Sequence, residues 1–171
     1  MCKLVYLENP PQYEDLEEIY AWEKTSSQVA EEKIKKDSIL RRGVRVLERY
    51  KDNLIQRDKL MDIVNKYFPP GPVIDIGCGG GQVMSRLDKK YTPYGIEVSR
   101  QLSGNAQKIA ESRGGRVFCG NALLGLDTFE KDFFAAAIMS AYFEHESAPR
   151  EVLKKILHVL KPGAPLVIKV P

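Results

Sequence analysis

The 171-residue sequence is sparing with metal- and disulfide-forming side chains. It has three cysteines and two histidines. Cys2, Cys78 and Cys119 are odd in number and lack ligand spacing. That argues against a disulfide framework and a zinc site, and makes a reducing cytoplasm the expected compartment. No stretch approaches the roughly 18 apolar residues of a membrane span. The opening Met1-Cys2-Lys3-Leu4-Val5-Tyr6 lacks the layout of a secretory signal. There is no internal repeat and no low-complexity tract. The net charge of +3 is too small to imply nucleic acid by itself. What is present is ordinary globular composition, 43% apolar and 29% charged, in a chain long enough for one domain with one sizeable core.

The most informative stretch is Val73-Ile74-Asp75-Ile76-Gly77-Cys78-Gly79-Gly80-Gly81. Its β-branched apolar residues suit a strand covered on both faces. Pro69-Pro70-Gly71-Pro72 stops whatever precedes it. After Gly81 the apolar residues Val83, Met84 and Leu87 take helical spacing. Strand, glycine loop and helix together open a nucleotide-binding α/β unit. A dinucleotide fingerprint would place its third glycine at Gln82, whereas here the glycines stand at 77, 79 and 81. An anionic pyrophosphate gains nothing from Asp75, but a ligand carrying ammonium and sulfonium does. These features make a nicotinamide dinucleotide the weaker reading. A second strand, Tyr94-Gly95-Ile96-Glu97, ends on another acid, where a ribose diol finds a two-oxygen acceptor.

With both motifs, the chain resembles the class I S-adenosylmethionine-dependent methyltransferases over about residues 70–171. Further blocks carrying the resemblance are Gly120-Asn121 and Leu157-His158-Val159-Leu160-Lys161-Pro162-Gly163. The latter is similar to the family's RVLKPGG turn, with His158 for Arg and Ala164 for the second Gly. Ser140-Ala141-Tyr142-Phe143-Glu144-His145 resembles a bacterial subgroup with an LEH signature, some of whose members are associated with cell-envelope glycans. The resemblance implies a Rossmann-like, doubly wound, mostly parallel α/β sheet of strand order 3-2-1-4-5, with helices on both faces. It implies S-adenosyl-L-methionine as cofactor. Asp75, Gly77, Cys78, Gly79 and Gly81 would line its methionine end, Glu97 and Val98 the ribose, and Asn121 and Ala122 the adenine. Ser140 and Tyr142 would stand at the mouth after strand four, with Tyr142 covering a ring or the methyl group. His145, with Glu144 beside it, is the candidate base, balanced against a packing role; an imidazole suits either. Cys78 as a nucleophile is the weaker alternative to a small loop residue, since no base or helical partner for it is evident.

Along the chain, strands are expected at 73–76, 93–97, 117–119, 133–139 and 165–170. Helices are expected at about 80–88, from a Ser99 cap to about Arg113, and after Ser147 and Pro149. The last should turn Val152, Leu153, Ile156, Leu157 and Leu160 inward. Residues 1–68 read as an N-terminal arm and helical extension, and 69–171 as the methyltransferase domain. The arm is acidic and carries Tyr6, Tyr13, Tyr20 and Trp22. Residues 29–68 read as one long helix, or two broken near Gly43, with Lys35, Lys36, Arg41, Arg42, Arg45 and Arg49 on an expected basic face that is better read as solvated than as anion-binding.

Two departures from the family pattern stand out. Asn121 replaces the usual Asp, and accepts with less charge assistance. The sequence ends after strand five where the family sheet has seven strands, so a truncated chain and self-association along the strand-five edge are expected. The expected acceptor is a small molecule or glycan. Two alternatives stand beside it: a catalytically incomplete cofactor-binding fragment, and a nucleic-acid-directed methyltransferase. The absence of an N/D-P-P-Y/F signature after strand four weakens the second.

Overall fold

A computed structural model describes residues 58–170. The acidic arm, the basic stretch and most of the helix expected over 29–68 lie outside the described residues. In chain order the elements are α1 (Lys59–Tyr67), β1 (Gly71–Ile76), α2 (Gln82–Arg86), β2 (Tyr91–Glu97), α3 (Arg100–Glu111), β3 (Val117–Cys119), α4 (Ala122–Leu126), β4 (Ala136–Ser140), a 3-10 turn (Phe143–His145), α5 (Pro149–Val159) and β5 (Leu166–Lys169). The strands form one sheet in the order β3-β2-β1-β4-β5. Every pairing is parallel. This is the expected doubly wound architecture.

Burial on both faces explains the composition of the central strands. Ile74, Ile76, Ala137 and Met139 face α4 and α5 in a cluster with Leu126, Val152, Ile156 and Val159. On the opposite face Val73, Ala136 and Ile138 meet Leu60, Met61, Val64, Val83 and Leu87 from α1 and α2. Helix α1, which the sequence assigns to the extension, thus contributes to the core. Tyr91 fixes it there, its hydroxyl donating to the carbonyls of Val64 at 3.2 Å and Phe68 at 3.3 Å.

Several boundaries differ from expectation. Strands β1 and β2 begin two residues earlier, at Gly71 and Tyr91. Strand β4 begins at Ala136, because Phe134 instead makes an isolated bridge to Leu160. Helix α5 has a different inner face: Leu157 is exposed and Val159 is buried. Two adjacent aliphatic stripes run along this helix, and tertiary packing selects the one made by Val152, Ile156 and Val159. Its N-cap is Ala148, not Ser147. The Ser99 cap is as expected, its hydroxyl accepting from the Leu102 N–H.

One side chain ties three elements together. Arg113, just after α3, donates to the carbonyls of Met84 (3.1 Å), Leu87 (2.9 Å) and Tyr91 (2.7 Å), and also to that of Asp88. The guanidinium closes the end of α2 onto the start of β2, a task for a planar fork rather than a point charge. Arg113→Ala is expected to cost ~2–3 kcal/mol, and Arg113→Lys to recover less than half of that, in urea unfolding. Equal stability of Lys and Arg at this position would refute the fork's role.

Candidate cofactor and active site

The strand order reverses between β1 and β4, so the loops leaving their carboxyl ends diverge and open a crevice. The loop after β1 forms one wall. Its Gly77 and Cys78 amides both donate to the Ile96 carbonyl, at 2.9 and 3.1 Å, which fastens it to β2. The three motif glycines have separate surroundings. A Cβ on Gly81 would lie 2.8 Å from Ile109 Cδ1 and 3.2 Å from Ala106 Cα, so this glycine admits helix α3. A Cβ on Gly77 would lie 2.6 Å from Cδ2 of Tyr142. A Cβ on Gly79 would lie 3.3 Å from Gln82 Oε1, a tight contact with the end of a flexible side chain, and φ is +54°. Left-handed backbone of this kind is the conformation that glycine adopts without strain.

Beneath the loop lie two buried carboxyl groups. Asp75 is 2% exposed and Glu97 8%. Both oxygens of Glu97 are bonded: Oε2 accepts from the Gly79 amide at 2.7 Å and Oε1 from the Ser99 amide at 2.9 Å. It holds the glycine loop to the start of α3. Asp75 Oδ2 is buried without a hydrogen-bond partner among the described residues. Burial, and then the nearby Glu97, push the Asp75 carboxyl up to about 8; Arg86 opposes this weakly. The same burial, with Asp75 and Glu97 behind it, pushes the Cys78 thiol well above its usual range. Cys78 is therefore a protonated, buried thiol, unsuited to nucleophilic attack.

The remaining predicted residues are distributed around the same end of the sheet. Val98 follows Glu97 directly. Asn121 is the N-cap of α4, its Oδ1 accepting from the Leu124 amide at 2.9 Å. Ala122 is buried beside it. Ser140 ends β4, and Tyr142 follows with its ring against Gly77. Glu144 and His145 lie in the exposed 3-10 turn. Glu146 was not among the predicted residues. Its Oε1 accepts from the Ala148 amide at 2.8 Å and its Oε2 from the Tyr142 hydroxyl. An acid four residues after a tyrosine and two before a helix start was the available signal. A cavity of about 220 Å³ lies elsewhere, between α4 and α5, where Lys155 pairs with Asp127.

The family model described as a methyltransferase domain matches residues 74–168. The chain belongs to this family, the class I S-adenosylmethionine-dependent methyltransferases. It is 28% identical over 110 residues to the ubiquinone/menaquinone biosynthesis C-methyltransferase UbiE of Wigglesworthia glossinidia brevipalpis, covering 61% of this chain and 44% of that protein. It is 33% identical over 114 residues to the tRNA U34 carboxymethyltransferase of Desulfotalea psychrophila, covering 62% and 35%. The chain therefore spans less than half the length of either curated relative. Among solved structures, the [4+2]-cyclase SpnF is 29% identical with a TM-score of 0.54, covering 65% of this chain and 43% of that one. Among the described residues of this methyltransferase-family chain, no helix is long and apolar enough to cross a membrane.

The raised Asp75 carboxyl has a consequence for stability. An unfolded aspartate titrates near ~3.9, whereas the folded group holds its proton to about 8. Ionisation thus costs more in the folded state, and Asp75 lowers stability progressively as pH rises from about 4 to about 8. Asp75→Asn removes this penalty, so its melting temperature is expected to exceed that of the wild type by more at pH 8 than at pH 5. A pH-independent difference in thermal melts would contradict the assignment.

Proposed function

We propose that this protein transfers the methyl group of S-adenosyl-L-methionine to a small-molecule or glycan acceptor. The observation that carries the proposal is the buried Asp75 Oδ2, which has no hydrogen-bond partner among the described residues, on the strand that leads into the left-handed Gly77 and Gly79 and close to Glu97. A buried carboxyl group lacking a hydrogen bond is costly unless a ligand supplies the partner. The cofactor, when bound, supplies an activated methyl group on a sulfonium centre, so the protein's main task is to align the acceptor. In this reading Asp75, Gly77, Cys78 and Gly79 line the methionine end, with Gly81 shaping the loop. Glu97 and Val98 hold the ribose, and Asn121 and Ala122 border the adenine. The helix-capping bond leaves the second lone pair of Asn121 Oδ1 for the adenine amino group. Ser140 and Tyr142 face the methyl side, and His145, with Glu144 beside it, serves as base for an acceptor that must lose a proton. The catalytic domain comprises residues 69–171 together with α1, which packs into its core, and the rest of residues 1–68 is an extension to it; the enzyme works in the cytoplasm, where free Cys78 and Cys119 stay reduced.

Titration calorimetry with S-adenosylmethionine and S-adenosylhomocysteine tests the cofactor site. Asp75→Asn and Glu97→Gln are each expected to weaken binding by ~10-fold or more, the loss of one charge-assisted contact. Because a cationic ligand favours ionised Asp75, wild-type affinity should rise between pH 6 and pH 8, and Asp75→Asn should flatten that rise. A folded wild type that binds neither compound would sink the proposal.

The outer edge of β5 has no strand paired to it among the described residues, and Ile168 and Val170 are exposed there. Self-association along this edge is part of the same proposal. Light scattering should then show mass increasing with concentration; a monodisperse monomer at high concentration would count against it.

A further inference from the structure

We propose that Glu146 is a positioning residue for the methyl-transfer site, acting through Tyr142; the inference rests on the cofactor reading above. Three observations converge on this pair. First, the Tyr142 ring fills the space that a Cβ on Gly77 would occupy, so it packs directly on the glycine loop where the loop leaves β1. Second, its hydroxyl donates to Glu146 Oε2, while Glu146 Oε1 accepts from the Ala148 amide at the start of α5. One carboxylate therefore joins the ring to a helix that is anchored in the core by Val152 and Ile156. Third, the turn that delivers Tyr142 is held in an uncommon conformation. Ala141 has φ +54°, and its amide donates to the Lys169 carbonyl of β5 at 2.9 Å. A non-glycine residue in the left-handed region persists only where its surroundings hold it.

The consequence is a wall of fixed position at the point where β1 and β4 diverge. Gly77 sets the inner limit of the ring and Glu146 the outer. A ligand whose methionine end lies along Gly77 to Gly79 would meet the ring on its methyl side, and an acceptor would approach past the ring's edge. Glu146 touches neither; it determines where the ring stands. A residue serving only as the cap of α5 would affect stability and leave ligand discrimination alone.

The test is a double-mutant cycle of Tyr142→Phe, Glu146→Ala and the double variant. The readout is the ratio of S-adenosylmethionine to S-adenosylhomocysteine affinity, since these ligands differ at the methyl group. Tyr142→Phe leaves the helix cap intact and carries the test even where Glu146→Ala compromises folding. The expected result is a shift of about fivefold in this ratio for each single variant, with the double shifting no further than the larger single. A wild-type ratio in Tyr142→Phe, or effects that add in the double variant, would overturn the role of Glu146 while leaving the cofactor reading in place. Binding of neither ligand by the folded wild type would overturn both.

Discussion

The site depends on a carboxyl group placed where the sheet has no water to offer. Asp75 belongs to β1, the strand hydrogen-bonded to both β2 and β4. Every residue from Val73 to Ile76 is buried. A strand in that position wants apolar side chains throughout. The acid stands near the end of the strand, where the chain leaves the sheet for the glycine loop. Its proton is retained at the expense of charge, which is how a protein accommodates a carboxyl group without a partner. The Glu97 brace and the buried Cys78 thiol lie around this group, and both carboxyl groups add to the burial that keeps the thiol protonated.

Glu97 is equally buried but differently used. With both oxygens bonded to backbone amides, it joins the glycine loop to the start of α3. A carboxylate oxygen has two acceptor positions, so these bonds leave room for a hydroxyl pair from a ligand. The same side chain can therefore brace the loop and still accept further hydrogen bonds. The two acids divide the work: Glu97 organises, and Asp75 holds unused bonding capacity.

The fold was largely legible because its periodicities are strong. The apolar run at 73–76, the Ser99 cap and the alternation of strand with helix each carried local information, and the parallel sheet followed from the family resemblance. Asp75 and Glu97 stood out because an acid at or next to the end of an apolar strand contradicts its neighbours, and the structure shows both to be buried. The inner face of α5 was less so. Val152, Leu153, Ile156, Leu157, Val159 and Leu160 form overlapping stripes, and hydrophobicity alone cannot decide between Leu157 and Val159. Glu146 was hidden for another reason. Its partners Tyr142 and Ala148 are close in sequence, but the value of the contact lies in the distant Gly77, which no spacing rule connects to it.

The glycine motif shows how much a sequence pattern compresses. Three glycines at alternate positions suggest one purpose, a smooth cradle for a ligand. Their surroundings separate them. Gly81 is needed so that α3 can pack on the loop, and Gly77 so that the Tyr142 ring can lie over it, whereas Gly79 meets only the end of the flexible Gln82 side chain among the described residues. Two of the three are thus demanded by protein packing, and a side chain at either would disturb the crevice indirectly, through a displaced helix or a displaced ring. The motif therefore brings a helix, an aromatic ring and a left-handed turn of backbone within a few residues of one another. A loop packed between a helix and a ring needs a glycine at each of those contacts to hold its shape.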